Sequence, residues 1–423
     1  MRISNNRSLG PRMAAILCAM LAALAGLPAA AWSAGQHGGH GHGHGHAAPA
    51  GAAKRTAELG TSAAVDSAGR LWIVGKETAA DGQYATVQVS SDLGRTWSAP
   101  RRIQARPEPV AAEGENRPKI AFGPRDELYI TYTKPLAKPY TGEIRLVRSL
   151  DGGKRFLPPV TVHANRDLIT HRFDSLIVDR AGRVYVAWID KRDLEQAKAK
   201  KQRYRGAALY YAVSEDSGAS FRGDFKVADH SCECCRIALA LTPDDKVAAM
   251  WRHVFAPNVR DHAYAILPPD GKVAAPERVT FEDWKIDACP HHGPALAFDS
   301  AGKRYQAWFN VKAEEGGVFF AAAAPGAAAE QPVALGSAQA AHADIAVQGD
   351  DVVVAWKQFD GKSTTIASRM SRDRGKTWSE LELARTSGPS DQPRLVATAA
   401  GIILVWRTRD EGVRVFHPAG AAT

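Results

Sequence analysis

Seven matched β-hairpins recur along the chain and constrain its fold more than any other feature of the sequence. Each consists of a short apolar strand, a turn and a longer apolar strand, and the longer strands are RLWIVG, ELYITYT, RVYVAWID, KVAAMWR, KRYQAWF, DVVVAWK and GIILVWR. Successive hairpins start roughly 50 to 60 residues apart, which leaves room for two further strands in each repeat. The repeat predicts an all-β chain folded as a seven-bladed β-propeller of four-stranded antiparallel blades.

The propeller is predicted to occupy residues 54–418 as one domain, followed by a short C-terminal tail over residues 419–423. No outer strand follows the last hairpin, so KRTAEL, before the first hairpin, is expected to pair with the strand around Val413 to Phe416. Such pairing would remove an exposed sheet edge. The charged segment DKRDLEQAKAKKQRYRGAA, between the second and third strands of blade three, is predicted to be a helical, solvent-facing excursion.

Residues 1–31 have the pattern of a secretory signal peptide. Three arginines precede the apolar run MAAILCAMLAALAGL, and small residues continue through Ala31. Residues 32–53 form a tail rich in His, Gly and Ala that cannot build a core and is predicted to be disordered. Its histidines fit capture of a soft metal ion, and an expression tag is the alternative. The sequence therefore predicts a periplasmic or secreted protein.

Net charge and hydropathy limit the classes of partner that the sequence predicts. No later segment reaches the eighteen or so apolar residues of a membrane span. The formal net charge is +9, and it is +6 once the three arginines of the signal peptide are removed. That charge is spread too thinly for a nucleic-acid footprint and suits a small acidic ligand or a metal ion. Nothing in the sequence indicates a protein partner.

A second repeated motif falls at the other end of the predicted blades. SSDLGRTW, SLDGGKRF, SEDSGASF and SRDRGKTW all fit Ser-x-Asp-x-Gly-x-x-aromatic, with the aspartates at Asp92, Asp151, Asp216 and Asp373. An aspartate can accept hydrogen bonds from backbone amides of its own turn, and glycine permits a positive φ. The closing aromatic side chain is expected to be buried under the neighbouring strands. We call these four segments the Asp boxes.

With these motifs the chain resembles the Asp-box, or BNR-repeat, proteins of the sialidase-like β-propeller superfamily. The resemblance implies that the four aspartates are structural and lie away from any active site. It also implies a choice among sialidases, lectin-like binders and assembly factors. Sialidases of this kind have six blades, which is the alternative fold, and grip a substrate carboxylate with three arginines beside a tyrosine nucleophile. The present chain has no tyrosine after Tyr305.

Charged residues at the starts of the innermost strands are the candidate ligand-binding residues. Four arginines could form a clamp for the carboxylate of an acidic ligand, and an aspartate accompanies them: Arg117, Arg172, Arg236, Arg394 and Asp174. Alternatively, the arginines neutralise nearby aspartates around a narrow channel.

Four cysteines remain in the mature chain once Cys18 leaves with the signal peptide. Cys232, Cys234 and Cys235 are expected to begin the innermost strand of blade four, where two thiols would face the channel. Equivalent places in blades five and six carry Cys289, His291, His292 and His342. Thiolates and imidazoles together predict a soft-metal site, for copper first and zinc second.

Two other chemistries remain open for these cysteines. Exported thiols oxidise readily, so structural disulfides without any cofactor are one alternative. A redox or nucleophilic site is the other, with Arg236 and the histidines lowering the thiol pKa values. The sequence thus predicts metal binding, metal trafficking or a metal-dependent reaction at a Cys/His site. The alternative function is a sialidase-like glycoside hydrolase or an acidic-sugar-binding lectin with structural disulfides, and whether the protein is an enzyme stays open.

Overall fold

The computed structural model describes residues 58–312 and 315–418. The predicted signal peptide and histidine-rich tail, residues 1–53, lie outside the described residues, as does the C-terminal tail. The described residues form seven antiparallel sheets, six of them four-stranded, with the strands of each sheet in sequence order. None of their helices has the length and apolar character that a membrane span requires.

Each sheet is one blade. The strands of blades one and two are β1 (Ser62–Val65), β2 (Leu71–Ala79), β3 (Gly82–Ser90), β4 (Arg101–Arg102), β5 (Lys119–Phe122), β6 (Leu128–Pro135), β7 (Gly142–Ser149) and β8 (Val160–Thr161). Blades three and four contain β9 (His171–Val178), β10 (Val184–Asp190), α1 (Arg192–Ala199), β11 (Ala207–Ser214), β12 (Arg222–Ser231), β13 (Ala238–Leu241), β14 (Val247–Arg252), β15 (His262–Leu267) and β16 (Glu277–Arg278). Blades five to seven contain β17 (Ala295–Phe298), β18 (Arg304–Lys312), β19 (Glu315–Ala323), β20 (Val333–Leu335), β21 (Ala340–Gln348), β22 (Asp351–Phe359), β23 (Thr364–Ser371), β24 (Ser379–Thr386), β25 (Arg394–Thr398), β26 (Gly401–Thr408) and β27 (Gly412–Phe416).

The first strands of the blades surround the central axis. β1 contacts β5 and β25, and the same contact between neighbours continues through β9, β13, β17 and β21. The ring of seven is therefore closed, which confirms the seven-bladed prediction and excludes the six-bladed alternative. The helix α1 lies between β10 and β11, in the charged segment where the sequence predicts it.

The second strands form the core of each blade. They read as continuous apolar runs because both of their faces pack against neighbouring blades. Five of them bury a tryptophan completely, at Trp188, Trp251, Trp308, Trp356 and Trp406. Full burial of so large a side chain in successive repeats makes the contacts between blades the main source of apolar burial.

The Asp boxes lie between the third and fourth strands, at the opposite end of the blades from the starts of the first strands. Asp92 accepts hydrogen bonds from the Thr96 amide at 2.8 Å and from the Ser90 hydroxyl at 2.7 Å. Hydrogen bonds to the Thr96 side chain and amide lower the pKa of Asp92 to about 2. The other three aspartates accept equivalent bonds within their own turns. Each Asp-box carboxylate thus accepts hydrogen bonds from its own turn.

The closing aromatic side chains are less buried than the sequence predicts. Trp97, Phe156, Phe221 and Trp378 are all half-buried. The tight contact between blades is made instead by the glycine of the box: a Cβ atom on Gly153 would lie 2.5 Å from the ring of Trp72 in blade one.

Blade seven has three strands in the part of the chain that the structure describes. Glu58 and Leu59 do not pair with β27, contrary to prediction, and residues 54–57 lie outside the described residues. The reason is that the Gly60 amide donates to the Ala112 carbonyl at 2.7 Å and the Thr61 amide donates to Asp391 at 2.9 Å. These bonds hold the start of the propeller near the axis rather than at its rim.

Candidate functional site

The three clustered cysteines lie in a turn, not in the strand that the sequence predicts. The turn is centred on Glu233 and Cys234, and β13 begins only at Ala238. The turn is fixed at its start because the Cys232 amide donates to the Arg252 carbonyl at 2.9 Å. An extended strand would send Cys232 and Cys235 to opposite faces, whereas the turn folds both sulfurs inward.

The turn brings the sulfur atoms together. The Sγ atom of Cys232 lies 3.5 Å from that of Cys235 and 3.8 Å from that of Cys234. Among the described residues, these three form the one group of His, Cys, Asp or Glu side chains whose ligand atoms all lie within 4.8 Å of one another. All three side chains are buried. We call Cys232, Cys234, Cys235 and Cys289 the thiol cluster.

Cys289 joins the thiol cluster from blade five. It lies in the loop before β17 and packs against the core that contains the other three cysteines, and hydrogen bonding to Cys232 raises its pKa to about 12. Unlike the other three, it is only half-buried. All four cysteines are free thiols in the structure. Cys289 is thus the most exposed member of the thiol cluster.

Two buried arginines face the thiol cluster. Arg260 donates from Nη1 to the Cys232 sulfur at 3.5 Å. Arg252, nearby, donates only to backbone carbonyls, those of Arg260, His292 and Phe309. Neither guanidinium has a carboxylate in salt-bridge contact within the described ranges, and both side chains are at most 8 % exposed. Uncompensated charge in such a place is costly, so the sulfurs are the available counter-charge.

The titration of the cluster follows from this arrangement. Hydrogen bonds from Cys234, Cys235 and Cys289, together with Arg260, place the pKa of Cys232 well below its usual value. Burial raises the pKa values of Cys234 and Cys235. Cys232 is therefore the most acidic thiol of the cluster. Arg260 lowers the thiol pKa, a role that the sequence analysis assigned to Arg236.

The predicted histidines form a separate group nearer the axis. The rings of His292 and His342 have centroids 4.4 Å apart. His342 Nδ1 lies 3.2 Å from a carboxylate oxygen of Glu115, which also accepts a hydrogen bond from Gln392 at 3.1 Å. A β-bulge in β21 gives His342 a φ of 54° and turns it toward the channel. His291 packs beside Phe173, with ring centroids 6.5 Å apart.

Glu115 is the negative centre of this second group. Burial opposes its ionisation, but Arg236, His342 and Arg117 outweigh that effect and keep its pKa below the usual range. Burial lowers the pKa values of His292 and His342. Burial also lowers the pKa of Lys119, at the start of β5, to about 8.

The four candidate clamp arginines all have carboxylates beside them. Arg117 forms a two-point ion pair with Asp391, with N–O distances of 2.7 and 2.8 Å. The remaining pairs are Arg172 with Glu113 at 3.2 Å, Arg394 with Asp344 at 3.4 Å and Arg236 with Glu115 at 3.8 Å. Asp174 accepts a hydrogen bond from Thr131 at 2.6 Å instead. Arg394 is the most open of the four, with 30 % of its side chain exposed.

Several residues of the site were not foreseen from the sequence. Glu113 and Glu115 precede the Asn-Arg-Pro-Lys segment at the start of β5, and Gln392 is one residue from Asp391. Their position just before a first strand is the signal that could have identified them. Arg260 follows β14 in a loop, and no spacing in the sequence links it to the cysteines.

Neither a protein-family model nor a curated protein matches this sequence. Similar solved structures include an ulvan lyase, a polysaccharide lyase, with 10% identity and a TM-score of 0.52 over 84% of this chain and 90% of that one. An α-L-arabinofuranosidase from Fusarium graminearum has 13% identity and a TM-score of 0.51 over 74% of this chain and 92% of that one. The likeness is one of fold. The NanB sialidase of Streptococcus pneumoniae is more distant, with 10% identity and a TM-score of 0.45 over 76% of this chain and 68% of that one.

Proposed function

We propose that this chain is an exported β-propeller that binds a soft metal ion, copper first and zinc second, at the thiol cluster. The observation that carries the proposal is the convergence of three buried free thiols within 4.8 Å of one another, with a fourth, Cys289, packed against the same apolar core from blade five. Thiolate sulfur selects Cu(I) and Zn²⁺ over oxygen-seeking ions such as Ca²⁺ and Mg²⁺. The metal would serve binding, trafficking or a metal-dependent reaction.

The sulfur spacing supports this proposal. A Zn–S bond of about 2.3 Å puts the sulfurs of a tetrahedral shell about 3.8 Å apart. The distances of 3.5 Å and 3.8 Å from Cys232 to its neighbours are close to that value. Little rearrangement is therefore needed for the turn to hold an ion.

The charges support it as well. Four thiolates around a mono- or divalent cation leave an excess of negative charge, which is costly to bury alone. Arg260 and Arg252 supply positive charge next to the sulfurs and have no carboxylate in salt-bridge contact within the described residues. The thiolate shell and the two arginines thus compensate each other.

The proposal extends to the remainder of the chain. The signal peptide over residues 1–31 would export it, and the histidine-rich residues 32–53 would collect the same ion. The bonds within the four Asp boxes support membership of the Asp-box superfamily. His292 and His342 are left out of the metal shell because they belong to the Glu115 group.

Replacing one sulfur ligand tests the proposal. Full-length protein from copper-supplied cells is expected to carry at least one copper ion that gives a sulfur-to-metal charge-transfer band in the ultraviolet. Cys234→Ser should lose most of that band, because the loss of one ligand weakens the whole shell. The band reports sulfur ligation, so metal on the histidine-rich tail does not contribute.

His342→Gln is the matched control for the metal shell. It removes a predicted imidazole ligand and is expected to leave the charge-transfer band unchanged. Loss of the band in His342→Gln would instead support the mixed shell of cysteine and histidine ligands that the sequence predicts. A normal band in folded Cys234→Ser, checked by circular dichroism, would refute metal binding by the thiol cluster.

A second candidate function is favoured by the comparisons, which support it better than they support metal binding. The similar folds with TM-scores above 0.5 belong to a polysaccharide lyase and a glycoside hydrolase, and one was solved with a ligand that contains GlcA. By that analogy the chain would be a sialidase-like glycoside hydrolase or an acidic-sugar lectin. Arg117, Arg172, Arg236 and Arg394 would then face the sugar carboxylate.

The internal carboxylate partners of these arginines weigh against the second candidate, because a ligand would have to displace them. Calorimetric titration with glucuronic acid and N-acetylneuraminic acid tests it. Binding that disappears in Arg394→Met but persists in Arg374→Met, a change at an exposed Asp box, would establish the acidic-sugar function. Absence of heat with both sugars would remove it.

A further inference from the structure

Two members of the thiol cluster have the spacing of a redox pair. Cys232 and Cys235 form a Cys-x-x-Cys motif, a spacing used by thiol–disulfide oxidoreductases. Their sulfurs are 3.5 Å apart, nearer than the 3.8 Å between Cys232 and Cys234. A bond between the adjacent Cys234 and Cys235 would need a strained ring. Cys232 and Cys235 are therefore the pair best placed to join.

Access to this pair runs through Cys289. Cys232 is 1 % exposed and Cys235 is 2 % exposed, so a disulfide in solution cannot reach either sulfur directly. Cys289 is half-buried and packs against the apolar core that contains Cys232 and Cys235. Thiol–disulfide exchange needs sulfur-to-sulfur contact at each step. The order of contact is outer disulfide, Cys289, Cys232 and then Cys235.

We propose that the metal-free protein catalyses thiol–disulfide exchange with low-molecular-weight or peptide disulfides, and that Cys289 is the entry thiol. This activity goes beyond the proposed metal function and does not depend on it. Oxidation would take two sulfurs from the metal shell, so the metal-loaded and the oxidised states exclude each other.

The steps balance with glutathione disulfide as the oxidant. A buffer base takes the proton of Cys289 as its sulfur attacks one glutathione sulfur, which forms a mixed disulfide and releases glutathione thiolate. Cys232 then loses its proton and attacks the Cys289 sulfur, which releases the second glutathione thiolate. Cys235, deprotonated, attacks Cys232, which forms the Cys232–Cys235 disulfide and returns Cys289 as thiolate. In total, two protein thiols and one glutathione disulfide give one protein disulfide and two glutathione thiols.

The experiment uses the reduced, metal-free, full-length chain in glutathione redox buffers. Samples are quenched with acid and alkylated, and the tryptic peptides that carry Cys232 to Cys235 and Cys289 are read by mass spectrometry. In the wild type we expect protected Cys232 and Cys235, with alkylated Cys234 and Cys289. Finding Cys232 to Cys235 fully alkylated at every glutathione ratio would overturn the proposal.

Two variants test the entry role. Cys289→Ser should slow formation of the Cys232–Cys235 disulfide at least tenfold, with the final oxidised fraction unchanged. Cys235→Ser should accumulate a glutathione adduct or a Cys232–Cys289 disulfide, because the last step is blocked. Oxidation of Cys289→Ser at the wild-type rate would overturn the assignment of Cys289, and Cys289→Ala provides a second variant if the serine chain does not fold. These outcomes are read without metal, so they are independent of the charge-transfer test above.

Discussion

Arg260 shows how a single residue reveals the character of a site. A buried guanidinium needs a negative charge nearby, and the Nη1 atom of Arg260 donates to the sulfur of Cys232 at 3.5 Å. A cluster of neutral thiols would leave that charge uncompensated. Arg260 therefore matches a cluster that carries negative charge, as a thiolate or as a metal–thiolate shell.

Arg260→Met should weaken metal binding at the thiol cluster about 10- to 100-fold, the usual effect of removing a residue that supports metal ligands. The side chain keeps its apolar length, so the change isolates the charge and the hydrogen bond to Cys232. Competition with a chromogenic copper chelator measures the affinity. Arg374→Met, at an exposed Asp box, is the control and should retain wild-type affinity. Equal affinities in the two variants would show that Arg260 has no part in metal binding.

The sequence located the cysteines correctly at the channel end of blades four and five, because the hairpin repeat fixes where each first strand begins. It did not foresee Arg260 or Glu115, because contacts between blades join residues with no fixed spacing along the chain. It also grouped His292 and His342 with the thiols, whereas side-chain direction at the bulge in β21 turns His342 to Glu115.

At the scale of secondary-structure elements, the clustered cysteines and the Asp boxes lie in turns rather than in strands. The sequence predicted the strand hairpins well because a fully buried second strand has a simple apolar signature. The Cys232–Cys235 turn has no such signature, because its order of apolar and polar residues also fits an extended strand. The Asp boxes were recognised because their serine, aspartate and glycine each have a local backbone role.

The second glycine of the blade-two Asp box is predicted to fix the contact between blades. Gly153→Ala should lower the free energy of unfolding by about 1 to 3 kcal/mol more than Gly152→Ala, since its Cβ would overpack against Trp72. Gly152 is a matched control because it also has a positive φ, 66° against 82°, but would place its Cβ in open space. Urea unfolding measures both variants. Equal losses of unfolding free energy would mean that the positive φ alone, and not the contact with Trp72, requires glycine at position 153.

At the scale of the whole molecule, the ring is closed by contacts near the axis. Blade seven has three strands within the described residues, and Val413 and Val415 of its outer strand share one apolar cluster with Leu93 and Trp97 of blade one. Seven repeats in the sequence sufficed to predict the number of blades. They could not show how the first and last blades meet, because that junction occurs once and has no repeat to compare.

Asp391 is the residue that links the ends of the ring. From the start of blade seven it accepts hydrogen bonds from the Thr61 amide before β1 at 2.9 Å and from Arg117 before β5 at 2.8 Å. Its side chain and that of Arg117 are each 3 % exposed. Removing one member of a buried ion pair leaves the other charge without a partner, whereas removing both leaves no such charge.

Asp391→Ala should therefore destabilise the fold by about 3 to 5 kcal/mol, and the Asp391→Ala, Arg117→Met double variant should recover part of that loss. Asp350→Ala, which breaks the exposed pair with Arg374, is the control and should cost at most about 1 kcal/mol. Urea unfolding followed by tryptophan fluorescence measures all three variants, since tryptophans are buried in most blades. If Asp391→Ala unfolds at the same urea concentration as Asp350→Ala, the ring is held closed by apolar packing between blades one and seven, and the axial ion pair is dispensable.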